Sequence, residues 1–381
     1  MLSWETRARR LARQLVDKGV LRSPPWQRAV EEVPRHIFVP TYYEYGPNGW
    51  RAADVSDHEA TERWLDRVYS NTALFILPGG KSSSSMPGLM VRMLESLDIE
   101  DGNRVLEIGT GSGYNSALLC HHIGDHNVYS IDIEHELVSL ARDRLASIGY
   151  HPTLVVGDGA DGLAEYAPYD RIIATCSVPS IPWAWVQQVT IGGLILADLK
   201  LNGHIGNLAL LYRYEDRAEG RFSERYGSFM AIRHSESSHS TREPSADRLH
   251  IESRATNLEL PRPWENFVFW FFAHMDSALQ ITSYGQEMDS KTGLPGNACM
   301  IAADGSWCEI EKETRNSGSR TVWQSGPRRL WDLIEAAHER WTRLGAPGWQ
   351  RFGLTVTETR QTVWLDSPSS DLSWIAQVTR W

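Results

Sequence analysis

The spacing of apolar and polar residues predicts different structure in different parts of the chain. Residues 5–18 carry apolar side chains at helical spacing with Gly19 behind them, which predicts a helix that stops at a glycine, and a second short helix is predicted over residues 25–32. Residues 41–80 are rich in Tyr, Trp, Pro and Gly and show helical spacing only over residues 59–68. We expect residues 41–80 to form a long, elaborated loop.

From residue 87 onward the pattern becomes regular, because short apolar runs alternate with amphipathic stretches. Helices are predicted over residues 87–97, 115–122, 135–148 and 182–189, and strands over residues 104–108, 127–132, 153–156, 171–174 and 193–198. Strands that alternate with helices favour right-handed crossovers and a parallel sheet covered on both faces. Two further strand-like runs, residues 206–215 and 225–232, have no helix between them and predict an antiparallel edge. The expected fold is α/β, with a mostly parallel sheet of about seven strands.

The pattern changes again in the last third of the chain. The polar, Ser-rich stretch 234–247 is the predicted linker. After it come an apolar block, an Asp-Gly hairpin signal at Asp304-Gly305, a helix over residues 327–344 and a second hairpin over residues 352–366, which together predict an α+β domain. The predicted division of the chain is residues 1–80 for the N-terminal helices and loop, 81–233 for the α/β core, 234–247 for the linker and 248–381 for the C-terminal domain.

Composition and charge exclude several classes of function. The chain has 381 residues with 48 acidic and 38 basic side chains, a net charge of -10, which disfavours general binding to nucleic acid or to anionic membranes. Its first residues lack the apolar segment of a secretory signal, and no apolar run approaches the roughly 20 residues of a membrane span, so we expect a cytoplasmic protein. The four cysteines show neither metal-ligand spacing nor a disulfide pattern, so no metal site is predicted.

The main candidate site is the sequence VLEIGTGSGYNS at residues 105–116, a strand followed by a glycine-rich turn and a helix. Glycines at alternate positions allow the backbone to turn tightly and to approach a ligand at the start of the next helix. A dinucleotide fold requires a third glycine where this chain has Tyr114, so a cofactor without a pyrophosphate is favoured. The residues of this turn predicted to bind the cofactor are Glu107, Gly109, Thr110, Gly111 and Gly113.

Two more acidic residues stand at the ends of the next strands. Asp132 can accept hydrogen bonds from ribose hydroxyls, and Asp158 with Gly159 stands where an adenine amino group can be recognised. Singly each is a common turn former or helix cap. Together with the glycine turn, on three successive strands, these residues predict a site for S-adenosylmethionine.

The acceptor of the methyl group is predicted from what the strand ends lack. The fourth strand ends in the sequence IIATCSVP and offers neither a metal-binding carboxylate nor the motif of an exocyclic-amine methyltransferase. No histidine stands at a strand end as a general base. A carboxylate acceptor requires no base, because a group with a pKa of about 4 is already ionised at neutral pH. The enzyme then only has to align the carboxylate with the sulfonium methyl group.

Residues 28–232 resemble the protein L-isoaspartyl (D-aspartyl) O-methyltransferases. The resemblance rests on VPRHIFVP at residues 33–40, SSSSMPGLMVRMLE at 82–95, the glycine turn, VVGDGADGLAEYAPYDRII at 155–173 and GGLILAD at 192–198. It implies a Rossmann-like class I methyltransferase fold. It also places Ser85 on the family hydroxyl beside the methyl donor and Ser83 on the family threonine, which makes them the predicted catalytic residues. The alternative for the serine run is a flexible loop that caps the following helix.

The chain departs from that family in the insertion at residues 41–80 and in the extension after residue 232. This architecture is similar to methyltransferases found with bacterial ribosomal peptide clusters, above all those with ATP-grasp maturases, which make graspetides, and less closely those of lanthipeptides. The similarity implies methylation of an aspartate in a cyclised precursor peptide, collapse of the ester to an aspartimide that can open to isoaspartate, and contact with the peptide maturase.

General repair of isoaspartyl proteins is the alternative activity, and a recognition module without catalysis is the alternative class. The tryptophan-rich C-terminal region, with ten of the 16 tryptophans after residue 260, is predicted either to capture the substrate or to pack against the core. The oligomeric state stays open.

Overall fold

The computed structural model describes residues 2–53, 55, 57–201, 205–234, 251–288, 295–314 and 318–376. Its helices are α1 (Trp4–Asp17), α2 (Pro24–Glu32), α3 (Arg35–Phe38), α4 (His58–Val68), α5 (Pro87–Ser96), α6 (Tyr114–Ile123), α7 (His135–Ser147), α8 (Trp183–Gln188), α9 (Phe267–Ser277) and α10 (Leu330–Arg343). The first ten strands are β1 (Tyr43–Gly46), β2 (Gly49–Ala52), β3 (Leu74–Phe75), β4 (Ser83–Ser84), β5 (Val105–Ile108), β6 (Val128–Asp132), β7 (Thr153–Val156), β8 (Tyr169–Val178), β9 (Val189–Leu199) and β10 (Asn207–Arg213). The others are β11 (Ala218–Phe222), β12 (Glu252–Thr256), β13 (Ile281–Met288), β14 (Pro295–Ala302), β15 (Trp307–Ile310), β16 (Arg320–Ser325), β17 (Phe352–Val356), β18 (Gln361–Leu365) and β19 (Ser373–Ala376).

The central sheet has the strand order β19-β18-β17-β11-β10-β9-β8-β5-β6-β7. Strands β5 to β9 run parallel to one another, as the alternation of strands and helices predicts. β10 pairs antiparallel with β9, so the predicted antiparallel edge of the sheet is present. The sheet has ten strands and not seven, because β17, β18 and β19 join it through antiparallel pairing of β17 with β11. The chain order reverses between β5 and β8, and the crevice beside these two strand ends is where an open α/β sheet binds its ligand.

The predicted strand over residues 225–232 is wrong. The strand that pairs with β10 is β11, and residues 225–232 instead cross the ends of the sheet strands with a single bridge from Ala231 to Ser177. β11 contains Gly220, where an added Cβ would lie 1.9 Å from the carbonyl oxygen of Leu210. The apolar pattern of β11 is therefore short, and it is interrupted by Gly220, because a side chain at that position would collide with the Leu210 carbonyl.

The expected long loop at residues 41–80 is also wrong in its detail. This region contains α4 and three strands of a small sheet with the order β2-β1-β3-β4, and the helical spacing over residues 59–68 does form α4. The last strand, β4, is the serine run itself, since Ser83 pairs with Phe75 of β3. The small sheet therefore positions the predicted catalytic serines.

The two faces of the central sheet bury separate cores. One core packs α1, α2, α5, α6 and α7 against side chains such as Val105, Ile173 and Leu196. The other packs α8, α9 and α10 against side chains such as Ile108 and Ile172 and extends into a second sheet of order β12-β16-β15-β14-β13. Both predicted C-terminal hairpins are present, as β14-β15 and β17-β18. Of the predicted linker, residues 235–247 lie outside the described residues.

Candidate active site

The turn between β5 and α6 forms one wall of a cavity at the crevice. Gly109 has a φ of +95°, and a Cβ there would lie 2.7 Å from Oγ1 of Thr175 on β8. The Thr175 hydroxyl donates a hydrogen bond of 2.7 Å to the Gly109 carbonyl oxygen, which fixes the turn to β8. Gly111 also has a positive φ, +52°. The glycine spacing read from the sequence therefore reflects both a left-handed backbone and a close approach by a neighbour.

Glu107, the next-to-last residue of β5, lies beneath this turn and is fully buried. Its carboxylate accepts hydrogen bonds from Asn115 at 2.8 Å, from Ser130 at 2.8 Å and from Ser116. Burial raises the pKa of Glu107 to about 7, although the hydrogen bonds from Ser116, Asn115 and Ser130 oppose that shift. The hydroxyls of Thr110 and Ser130 lie 2.7 Å apart and connect the glycine turn to β6.

Asp132, at the end of β6, faces the same turn. Its Oδ2 accepts a hydrogen bond of 2.9 Å from the Gly111 N–H, and its Oδ1 accepts one of 3.0 Å from the Glu134 N–H. Two backbone donors therefore hold the carboxylate that the sequence assigned to ribose hydroxyls. Its position on the cavity wall agrees with that assignment, which stays a prediction.

Asp158 and Gly159 follow β7. Asp158 accepts a hydrogen bond of 2.9 Å from the Ala160 N–H, and its other oxygen lies 2.8 Å from Nδ1 of His234. The Gly159 carbonyl accepts a hydrogen bond of 2.8 Å from the Trp185 indole, which ties this turn to α8. A Cβ on Gly159 would lie 2.6 Å from Ile108, so the glycine is required by packing.

The serine run forms the opposite wall of the cavity. A Cβ on Gly111 would lie 3.7 Å from the Ser83 carbonyl oxygen, so the two walls approach closely. The Ser85 side chain is partly buried and lines the cavity, and its carbonyl accepts a hydrogen bond of 3.1 Å from Arg35. The Ser84 side chain is buried, and its hydroxyl has no hydrogen-bond partner among the described residues.

Arg35, which lies in the VPRHIFVP motif, holds this wall in place. It is fully buried and donates to the carbonyls of Val68 at 2.6 Å, Ser70 at 3.1 Å and Thr72 at 3.1 Å, as well as to that of Ser85. Burial lowers the pKa of Arg35 to about 10. The motif predicted a family relationship and gave no sign of this role, because the four partners of Arg35 are backbone carbonyls, three in the inserted region and one in the serine run.

The cavity has a volume of about 570 Å³, within the range of small-molecule sites. Of the predicted residues, the following line it: Ser83, Ser85, Glu107, Gly109, Thr110, Gly111, Asp132 and Gly159. Gly113 and Asp158 do not. Gly113 begins α6 in a left-handed conformation against Ala141, a structural position next to the site.

Sequence reasoning missed three further parts of the cavity wall. Asn115 lies in the first turn of α6, and Thr175 lies on β8 beside the glycine turn. A search of the sequence for polar side chains at these two positions would have found them. Residues 226–233 line the cavity as irregular backbone, which the strand prediction concealed. Lys81, an exposed cation between the insertion and the serine run, also lines the cavity.

S-adenosylmethionine fits the residues of this cavity. Besides the Ser84 hydroxyl, Oδ1 of Asn115 is buried on the cavity wall with no partner among the described residues. Buried polar atoms are almost always hydrogen-bonded, so these two indicate a polar ligand. Glu107 and Asp132 supply the acceptors that a cationic, ribose-containing ligand requires, and the glycine turn provides close backbone approach. The described residues contain no cluster of three or more metal-ligating side chains, and none of their helices is long and apolar enough for a membrane span.

Fold and cavity together define a class I S-adenosylmethionine-dependent methyltransferase, as the sequence predicted. Residues 6–226 match the family described as protein-L-isoaspartate(D-aspartate) O-methyltransferase, more than half of the chain. The chain belongs to that family. It is therefore an S-adenosylmethionine-dependent carboxyl O-methyltransferase.

Individual relatives agree with this assignment. The protein-L-isoaspartate O-methyltransferase of Methanothermobacter thermautotrophicus is 34% identical over 207 residues, which cover 54% of this chain and 85% of the relative. That of Dictyoglomus thermophilum is 32% identical over 225 residues, which cover 59% of this chain and 89% of the relative. A solved structure titled protein-L-isoaspartate O-methyltransferase aligns with a TM-score of 0.54 and 21% identity over 96% of this chain and 98% of its own. That alignment extends the shared fold well beyond residue 226.

Proposed function

We propose that this enzyme esterifies the side-chain carboxylate of an aspartyl residue in a ribosomally made precursor peptide, after that peptide has been cyclised. The carboxylate oxygen attacks the donated methyl group, a C–O bond forms as the C–S bond breaks, and the electron pair leaves with sulfur. No proton moves in this step. The next backbone N–H of the peptide then attacks the ester carbonyl, and methanol leaves to give an aspartimide that water can open to isoaspartate.

The observation that carries this proposal is the chemistry of the acceptor side of the cavity. The described residues that line it include serine hydroxyls and the cations Lys81 and Arg233, but no histidine. Arg233 is paired with Glu134 at 2.5 Å, whereas Lys81 forms no ion pair with a described residue. An anionic acceptor that is already nucleophilic is matched by hydroxyl donors and an unpaired cation, and it requires no base.

The inserted region supports the view that the acceptor is a peptide of one particular sequence. Phe75 of the inserted region lines the cavity together with Lys81, which lies between the inserted region and β4, so the acceptor meets residues at the small sheet as well as residues of the glycine turn. Added contacts of this kind discriminate between substrates. A maturing peptide that always presents the same sequence fits such a wall, and contact with the peptide maturase would deliver it.

The second candidate is repair of isoaspartyl residues in many proteins. It is favoured by the names of the relatives in the family and by the solved structure of that title, which shares the fold over nearly the whole chain. Repair would use the same cavity and the same transfer step. The two candidates differ in the acceptor, because repair requires the isoaspartyl linkage and the first proposal requires an ordinary aspartate.

Mass spectrometry separates these candidates. The enzyme is incubated with S-adenosylmethionine and with isoaspartyl peptides of unrelated sequence, or with an aspartyl precursor peptide in linear and cyclised form. Gain of one methyl group followed by net loss of water on the cyclised precursor supports the proposal. Turnover of the unrelated isoaspartyl peptides, with none of the ordinary aspartyl peptide, would establish repair instead.

A further inference from the structure

A second groove, of about 550 Å³, lies on the face of the central sheet beyond α5. Its floor includes directly paired residues on three strands, Leu196 of β9, Leu210 of β10 and Arg221 of β11, and Arg221 pairs in turn with Gly353 of β17. Paired residues in antiparallel strands share a face of the sheet, so these residues form a continuous surface. The other face of the same strands is buried against α9.

Trp364 of β18 completes the floor. A Cβ on Gly353 would lie 2.1 Å from the Trp364 ring, so the ring covers the glycine. The Arg221 guanidinium lies 4.8 Å from the centre of that ring and donates hydrogen bonds to the carbonyls of Gln350 at 3.2 Å and Asp366 at 2.6 Å. Next to this pair, Tyr212 is 48% exposed. The groove thus presents a fixed cation and the Tyr212 ring to solvent, and the buried Trp364 ring lies beneath the cation.

The groove and the active-site cavity share two walls. On α5, Leu89 lines the cavity and Ser96 lines the groove. These two residues are seven positions apart, which corresponds to about 10 Å along the helix axis. On the chain after β11, Ser223 lines the groove and Tyr226, three residues further on and therefore at most about 10 Å away, lines the cavity. An extended peptide of about three residues covers that distance.

Two arginines, Arg92 and Arg225, lie between the groove and the cavity in a chain whose net charge is -10. Arg92 of α5 donates a hydrogen bond of 2.8 Å to the Tyr226 carbonyl, and its Nε has no partner among the described residues. Arg225 lies close enough to Arg92 to help burial lower the pKa of Arg92. The carboxylate of the groove, Glu219, is already paired with Arg217 at 3.4 Å. Arg221 in the groove and Arg92 and Arg225 between groove and cavity therefore outnumber the one carboxylate of the connecting segment, Glu224.

We propose that this groove binds the segment of the peptide substrate that flanks the methylated residue, as an extended chain with acidic side chains. The proposal rests on the proposed function only in that the acceptor is a residue within a peptide. Exposed tyrosines and an arginine held over a tryptophan ring, in a pre-formed groove, are the features of a peptide anchor. Acidic side chains three or more residues from the acceptor would meet Arg92, Arg225 and Arg221 in turn.

Steady-state methylation kinetics test the proposal. The acceptor is whichever residue the full-length enzyme methylates, aspartyl or isoaspartyl, in three peptides: a minimal peptide, the same peptide with a six-residue acidic tail, and the same peptide with a tail of neutral residues. Tails are placed on either side of the acceptor. We expect an acidic tail on one side to lower KM about tenfold relative to the minimal peptide, with kcat unchanged, and a neutral tail to lower it less.

Substitutions in the groove test whether the acidic tail lowers KM by binding there. Arg221→Gln and Tyr212→Glu each remove the advantage of the acidic tail while the KM of the minimal peptide stays as in the unmodified enzyme. Arg360→Gln, an exposed arginine in the turn between β17 and β18 and away from the groove, is the matched control and keeps the advantage. Equal KM for all three peptides with the unmodified enzyme would overturn the proposal, as would equal loss with Arg360→Gln. Turnover of the minimal peptide reports the proposed function separately.

Discussion

At the scale of single residues, the fold strongly disturbs the ionisation of Glu107 in the cavity wall. Its pKa rises from 4.5 to about 7 because burial disfavours the carboxylate. Between these values the folded protein holds a proton that the unfolded chain has lost, so stability falls as pH rises through this interval. The full destabilisation, on the order of 3 kcal/mol, is present above about pH 7 and absent below about pH 4.5.

Glu107→Gln is therefore expected to flatten the pH dependence of stability. A neutral amide has the shape of the protonated acid, so the variant should gain on the unmodified protein as pH rises from about 5 to about 8. Denaturant unfolding of both proteins at several pH values in this range measures the difference. Parallel curves would show that Glu107 titrates normally in the folded state.

Ser85→Ala is expected to leave cofactor binding intact and to slow methyl transfer about tenfold, the effect of one lost hydrogen bond of roughly 1 to 1.5 kcal/mol in the transition state. The hydroxyl lines the cavity on the wall opposite the glycine turn, where an acceptor carboxylate would be oriented. Calorimetric titration with S-adenosylhomocysteine and single-turnover kinetics separate the two effects. Ser147→Ala, at an exposed position on α7, serves as the control, and equal rates for both variants would remove Ser85 from the mechanism.

At the scale of elements, β3 and β4 depend on Arg35, because this one side chain gathers four carbonyls from the insertion and the serine run. Arg35→Met leaves those buried carbonyls without their donor, and we expect a loss of about 3 kcal/mol in unfolding free energy. We also expect faster hydrogen exchange in the amides of Leu74 and Ser84. Arg10→Met, which removes an exposed arginine paired with Asp66, is expected to cost less than about 1 kcal/mol and to leave that exchange unchanged.

The elements that sequence analysis predicted well are those determined by local pattern. The run from β5 through the glycine turn to α6 carries its signals within a dozen residues, and so does the Asp304-Gly305 hairpin. β11 was missed because its pairing is decided by the neighbouring strand, where Gly220 meets the Leu210 carbonyl, and the more apolar residues 225–232 offered a stronger local pattern. Arg35 was missed as a functional residue for the same reason, since its partners are distant in sequence.

At the scale of the whole molecule, the C-terminal residues contribute to two separate sheets. β17, β18 and β19 extend the methyltransferase sheet, and β12 to β16 form their own. Local pattern predicted the hairpin over residues 352–366 but could not place it, because the pairing of β11 with β17 joins segments about 130 residues apart in sequence. The hairpin is also fastened to the core by Gln361, whose buried amide exchanges hydrogen bonds of 2.7 and 3.1 Å with the backbone of Ile181.

Deletion of residues 247–381 is therefore expected to unfold the protein and not merely to abolish peptide capture. The deletion would expose the hydrogen-bonding edge of β11, which pairs with β17 in the full chain. It would also expose the buried ring of Phe222, whose centre lies 5.2 Å from the ring centre of Phe271 and 5.8 Å from that of Trp349. An uncovered strand edge with apolar side chains favours aggregation. Solubility, far-ultraviolet circular dichroism and S-adenosylhomocysteine binding of the shortened chain measure this. Full-length Phe352→Ala, which opens a cavity in the same interface, should lower unfolding free energy by about 3 to 5 kcal/mol. A soluble, cofactor-binding fragment that has lost only peptide turnover would instead assign these residues to substrate capture alone.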